Sequence, residues 1–196
     1  MGDIINLKPY HQLECPDELQ KIISDKAVDF LKTKTDLFSR LDKLSLWNKL
    51  NSVDFIRHVP ELVKYFQSFN LKLREVSVTV CHSKTDAGLH IDELPVTAKI
   101  NFPILNTQGS RNIWYSVPDN IMSQVTPIIN SFGTAFYNLG SVDLTKCKKL
   151  ADIEVVKPVV FNSQIPHMVD ITNCLAFPRL VLTCMFFNEP VDFLKE

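Results

Sequence analysis

The chain has 196 residues, a formal net charge of -1, and 45% hydrophobic against 22% charged residues. That length suits one well-buried domain, since two would be small. The near-neutral charge gives no electrostatic reason to expect nucleic acid or an anionic membrane as partner. No apolar run approaches the roughly 20 residues of a membrane span.

The first fourteen residues lack the basic start and apolar core of a signal peptide. Asp3 and Asn6 do not suit a myristoylation signal. Five scattered cysteines with no C-x-x-C read as reduced thiols, so a cytoplasmic protein is expected. After this irregular or strand-like lead-in, Pro16-Asp17-Glu18 gives a helix start. Leu19, Ile22, Ile23, Ala27, Phe30 and Leu31 follow at helical spacing. A second helical pattern uses Leu37, Phe38, Leu41, Leu44 and Trp47. A third begins at Pro60 and uses Leu62, Val63, Phe66 and Phe69.

The period changes near Asn70. Glu75 to Cys81 alternates as a half-buried strand does. Val96 to Ile104 places Val96, Ala98, Ile100 and Phe102 on one face, and Thr97, Lys99 and Asn101 on the other. Further strands are expected at 112–117, 133–139, 153–156, 159–161 and 180–187, with turn chemistry at 106–109 and 118–120. There is no repeat or low-complexity segment. The expected fold is mainly β with N-terminal helices (α+β), a sandwich or jelly-roll barrel with the helices packed outside it. It is read as one domain over 1–196: a mainly helical buttress over 1–70 and a β core over 71–190.

Two imidazoles, one carboxylate and one arginine stand out in order. His90-x-Asp92 follows a loop at Asp86-Ala87-Gly88, and residues i and i+2 of an extended chain share a face, so both groups could meet one metal ion. Alone the pair means little: composition predicts about one such match in three chains of this kind, and a surface histidine bonded to a carboxylate would explain it. His167 sits where an apolar strand and a polar turn lead into another apolar strand. Arg179 opens the apolar strand that follows and shares a face with Val181 and Thr183. A buried arginine needs an anionic partner. A guanidinium fork gripping a ligand carboxylate, assisted by Thr183, is one reading; a strand-mouth arginine paired with a surface acid is the other.

His90-x-Asp92, then His167, then Arg179 twelve residues later resembles the iron(II)- and 2-oxoglutarate-dependent dioxygenases over roughly residues 74–187. The resemblance implies a double-stranded β-helix, a jelly-roll or cupin-like barrel, buttressed by N-terminal helices. It implies Fe(II) held by His90, Asp92 and His167, and 2-oxoglutarate held by Arg179, with O2 as oxidant. The implied reaction hydroxylates an unactivated C–H bond and releases succinate and CO2. The substrate class stays open between a small metabolite and a protein side chain.

Asn101, with Lys99, lines either the site or a solvated face; Asn101 and Thr183 are the further candidates for co-substrate contacts. Trp114 and Tyr115 point to opposite faces, so one is expected in the core, with the pocket rim as the other role. His82 reads as an exposed histidine or a substrate contact, and Lys146 to Lys149 as a solvated loop. Cys81 and Cys184 read as small core residues. Alternatives are a cupin-like metal protein with non-redox chemistry, an inactive barrel serving as a binding module, and a zinc hydrolase. The first usually brings His-x-His, which this chain lacks, and the last leaves Arg179 unexplained.

Overall fold

The computed structural model describes residues 7–34, 45–84, 88–92, 96–129 and 135–195. Helix α1 (Asp17–Lys32) carries Asp17 and Glu18 in its first turn and Lys32 in its last, charges that complement the helix dipole. Its Ile23, Ala27, Phe30 and Leu31 are buried. Ile22, expected with them, is 40% exposed because it lies at the margin of that stripe. Helix α2 (Ser52–His58) was not evident from periodicity; the Asn51 side chain caps it by accepting from the Asp54 N–H. Helix α3 (Pro60–Gln67) opens on proline as expected.

The second expected helix needs correction. Its residues Leu37, Phe38, Leu41 and Leu44 lie outside the described residues. Trp47 belongs to a strand, β2 (Ser45–Lys49), which pairs Trp47 with Thr79 of β3 (Leu73–Cys81). A short apolar run fits either period, and the ladder along β3 decides it.

The strands form two antiparallel six-stranded sheets. In the first, β1 (Tyr10–Gln12), β10 (Val159–Asn162), β5 (Ala98–Leu105), β12 (Arg179–Phe186), β3 and β2 lie in that order. In the second the order is β7 (Pro127–Ile129), β8 (Ala135–Asn138), β4 (His90–Ile91), β11 (His167–Asp170), β6 (Arg111–Ser116) and β9 (Lys148–Glu154). The strand expected at 153–156 therefore starts at Lys148. Lys148 and Lys149 are not loop residues but open an edge strand, where lysines discourage pairing with another chain. The expected turn at 118–120 runs into a single helical turn, α4 (Asp119–Met122). No helix among the described residues is long and apolar enough to cross a membrane.

Period-two alternation divides the first sheet. Val76, Val78 and Val80, Ile100 and Phe102, and Leu180, Leu182, Cys184 and Phe186 pack with Phe30, Phe55, Leu62 and Phe66 of the helices. Phe66 meets Phe186 edge-to-face at 4.9 Å between ring centroids. Each such side chain contributes about 2–3 kcal/mol when fully buried. The opposite face carries Thr79, Cys81, Lys99, Asn101, Phe161, Arg179, Val181 and Thr183. On the second sheet, Ile91, Ile113, Tyr115 and Met168 are covered by Val117, Ile121, Met122, Val142 and Cys147. That cover buries Tyr115 while Trp114 is buried on the other face, so both aromatics are core. Cys81 and Cys184 are buried as expected.

The turn before β6 fixes Ser110. Gly109 has φ +77°, and a Cβ there would lie 2.1 Å from the Asn173 carbonyl oxygen. Its N–H donates to Glu154 Oε1 at 2.7 Å, and the next N–H, from Ser110, donates to Thr107 O at 3.0 Å. Gly109→Ala is expected to destabilise the fold by about 2 kcal/mol or more, through both the left-handed backbone and the backbone clash. A urea midpoint equal to wild type would contradict this.

Candidate metal centre

His90 and His167 face one another across adjacent strands. β11 pairs His167 directly with His90 on one side and with Trp114 of β6 on the other. The two rings lie 4.4 Å apart between centroids. Each ring Nδ1 sits 2.9 Å from a backbone carbonyl two residues earlier, Gly88 O for His90 and Ile165 O for His167. Donation from Nδ1 to those oxygens leaves both Nε2 atoms as acceptors aimed at one point. Gly88 presents its carbonyl from φ +67°, a conformation that glycine adopts without strain.

Asp92 completes the group. Its Oδ1 is 3.6 Å from His90 Nε2 and its Oδ2 is 3.8 Å from His167 Nε2. One donor atom from each residue lies within 4.8 Å of the others, a spacing that could hold a metal ion. The Asp92 N–H donates to Ser163 O at 3.1 Å. Ser163 in turn holds the start of β5: its hydroxyl donates to Val96 O at 2.7 Å, and Gln164 Nε2 donates to the same carbonyl at 2.6 Å. The polar turn expected before His167 is thus the tie between the two sheets at this end. Phe161 lies edge-on to His167 at 5.6 Å, and Trp114 stacks on Tyr10 at 5.5 Å.

The electrostatics suit a cation. Burial alone would raise the Asp92 pKa, but the Lys99 ammonium and then the His167 and His90 rings outweigh it, and the pKa falls to about 2. The Lys99 Nζ is 3.1 Å from Asp92 Oδ2. Burial, and then the His90 ring, lower the His167 pKa from 6.5 to about 4. Both imidazole and carboxylate are therefore in metal-binding form at neutral pH. A histidine whose folded pKa is depressed resists protonation in the fold, while the unfolded chain takes up the proton at higher pH. Its contribution to stability is complete above 6.5 and declines as pH falls from 6.5 through about 4. The metal-free protein is expected to lose about 3 kcal/mol from this group over that window. His167→Gln should flatten that part of the profile; an identical acid slope in the variant would contradict the assignment.

At the far end of the same space lies Arg179. It is 2% exposed, and its Nε donates to Ser110 Oγ at 2.7 Å. Across the ladder it faces Cys81, and Cys174 packs beside Cys81. Burial lowers its pKa from the ordinary value, yet a guanidinium keeps its charge. Among the described residues no carboxylate lies within 4.0 Å of it, and their ion pairs all involve other cations. Ser110 and Asn112 gave no sign in the sequence. Asn112 lies between Ser110 and Trp114 on the same face of β6. It is 1% exposed, and its Oδ1 has no hydrogen-bond partner among the described residues.

Thr183 stands apart from Arg179. Four residues of strand separate them by roughly 13 Å, and the Thr183 hydroxyl donates to Asn101 Oδ1 at 3.0 Å instead. Thr183 and Asn101 therefore form one contact on the wall of the space, and Ser110, not Thr183, accompanies the guanidinium. His82 follows Cys81 at the Arg179 end, away from the triad, and its Nε2 is buried without a partner among the described residues.

No protein-family model matches the chain, and no curated protein matches it in sequence. Solved structures do resemble it. AviO1 from Streptomyces viridochromogenes Tue57 superposes with a TM-score of 0.52 at 10% identity, over 96% of this chain and 94% of that one. The epimerase SnoN, in complex with Fe3+, alpha ketoglutarate and nogalamycin RO, gives a TM-score of 0.50 at 12% identity, over 96% and 85%. A second SnoN structure, of the non-heme alpha ketoglutarate dependent epimerase from nogalamycin biosynthesis, gives 0.50 at 8% identity, over 92% and 78%. At these identities the likeness is one of fold, a mainly β chain of two antiparallel sheets in this protein.

Proposed function

We propose that the chain is an iron(II)- and 2-oxoglutarate-dependent oxygenase whose two sheets form a double-stranded β-helix. The observation that carries the reading is Arg179, a buried cation with no carboxylate partner among the described residues, in the same inter-sheet space as a His-Asp-His group. Two imidazoles and one carboxylate on one face are the donor set that non-heme iron oxygenases use, with positions left open. A dianion with an oxo-acid head for the metal and a carboxylate tail for Arg179 satisfies both ends at once. SnoN, of like fold, was solved with Fe3+ and alpha ketoglutarate.

In this reading His90, Asp92 and His167 hold iron(II), and Arg179 with the Ser110 hydroxyl anchors the distal carboxylate. Asn101 and Thr183 line the wall beside the co-substrate. Trp114 and Phe161 exclude water from the His167 side. When bound, iron(II) with 2-oxoglutarate and O2 supplies oxidation of an unactivated C–H bond, releasing succinate and CO2. The substrate is a small metabolite or a protein side chain.

Anaerobic melting separates this from simple anion binding. 2-Oxoglutarate is expected to raise the melting temperature of the iron(II)-loaded protein by several degrees, whereas glutarate, which lacks the oxo group, should raise it far less. Equal stabilisation by the two would confine the ligand to Arg179 and remove the oxygenase reading.

A further inference from the structure

Lys99 is a cation that the oxygenase reading leaves without a task. It lies on the face of β5 turned to the second sheet, at the end where the triad lies. Its side chain is 13% exposed, and its Nζ donates to Asp92 Oδ2 at 3.1 Å. An ammonium carries three N–H donors, and that bond is the one the described residues supply. The position is remote from Arg179: Leu105, which pairs with Leu180 beside Arg179, stands six residues or roughly 20 Å along β5 from Lys99. The carboxylate held by Arg179 therefore leaves the Lys99 donors free.

With iron(II) and 2-oxoglutarate in place, the two cancel, and among the described residues of the site the Asp92 carboxylate stands against two cations, Lys99 at 3.1 Å and the remote Arg179. One positive charge is then left over among these groups, with the Lys99 side chain only 13% exposed beside a carboxylate that is 23% exposed. An uncompensated charge there is unfavourable until an anion meets it. A phosphate, with nearly two negative charges and three acceptor oxygens, calls for a denser set of donors than one lysine. A single carboxylate matches both the charge and the donors.

We propose that the oxidised substrate carries a carboxylate, which Lys99 receives beside Asp92; this rests on the iron and 2-oxoglutarate reading above. The C–H bond to be oxidised is then positioned relative to that anchored carboxylate.

The test is a binding titration without turnover. The anaerobic complex of protein, iron(II) and 2-oxoglutarate is titrated with hexanoate and benzoate, and separately with hexanamide and benzamide, following the shift of its visible absorption. The acids are expected to bind about tenfold or more tighter than the amides, the size of one charge-assisted hydrogen bond. Lys99→Gln should erase that preference and Lys99→Arg should retain it. Equal binding of acids and amides, or no effect of the acids at high millimolar concentration, would overturn the proposal. So would a preference that survives in Lys99→Gln, or a fall in 2-oxoglutarate affinity in that variant, which would assign Lys99 to the co-substrate. A wild-type protein with no visible band at all refutes the underlying iron and 2-oxoglutarate reading, a result distinct from these.

Discussion

Arg179→Met is expected to lower 2-oxoglutarate affinity about a hundredfold or more, to leave metal content unchanged, and to stabilise the ligand-free protein. The first effect follows from removing a desolvated charge partner, a loss of about 3 kcal/mol in comparable buried pairs. The second follows from position, since Arg179 lies at the opposite end of the strands from His90, Asp92 and His167. The third has the opposite sign from most core substitutions. Without ligand, Arg179 is a guanidinium 2% exposed, hydrogen-bonded to the neutral Ser110 hydroxyl and Cys81 thiol, with no carboxylate within 4.0 Å among the described residues. Methionine matches the stem and removes the buried charge, which is expected to gain about 1 kcal/mol or more. Calorimetric titration and thermal melting check both. Unchanged affinity would move the co-substrate elsewhere, and lost metal would make Arg179 a structural residue.

Asp92→Asn is expected to abolish stable metal binding, with affinity falling about a hundredfold or more. Asp92 is the single anionic donor of the triad, and at a pKa of about 2 it is ionised throughout the neutral range. The amide removes that charge and leaves the Lys99 ammonium unopposed beside the ion position. A dication then faces two neutral imidazoles and a neighbouring cation. Adding Lys99→Gln to Asp92→Asn should therefore recover part of the affinity, a coupling that a double-mutant cycle reads directly. Metal content after dialysis is the measurement. An Asp92→Asn protein that keeps its iron would show that the carboxylate is not a ligand.

The site was partly legible before the structure. His90-x-Asp92 is close to chance by itself, and its meaning came from His167 and Arg179 arriving later on apolar strands. The direct pairing of His167 with His90 could not be read, because β4 is two residues long and carries almost no periodic signal. The alternation of β5 placed Lys99 and Asn101 on one face without telling whether that face was wet; the second sheet decides it. Thr183 shares the Arg179 face, but strand rise carries it too far to act on the same group. Ser110, 69 residues from Arg179 in sequence, fills that place through a turn that depends on Gly109. Contacts of that kind arise from sheet packing and leave no local trace. Trp47 failed for a different reason: helical spacing over a few residues yields to a neighbouring strand that offers a ladder. Trp114 and Tyr115 were rightly assigned to opposite faces, but both are buried because the segment after β6 covers the outer face of the sheet.

The most direct test of the account is an anaerobic titration of iron(II)-loaded wild-type protein with 2-oxoglutarate, followed by visible absorption. Chelation of the oxo acid at the His90–Asp92–His167 centre predicts a weak metal-to-ligand charge-transfer band that saturates with co-substrate, is missing in Asp92→Asn, and needs far more 2-oxoglutarate in Arg179→Met. A protein that retains iron(II) yet gives no band at saturating 2-oxoglutarate would contradict it.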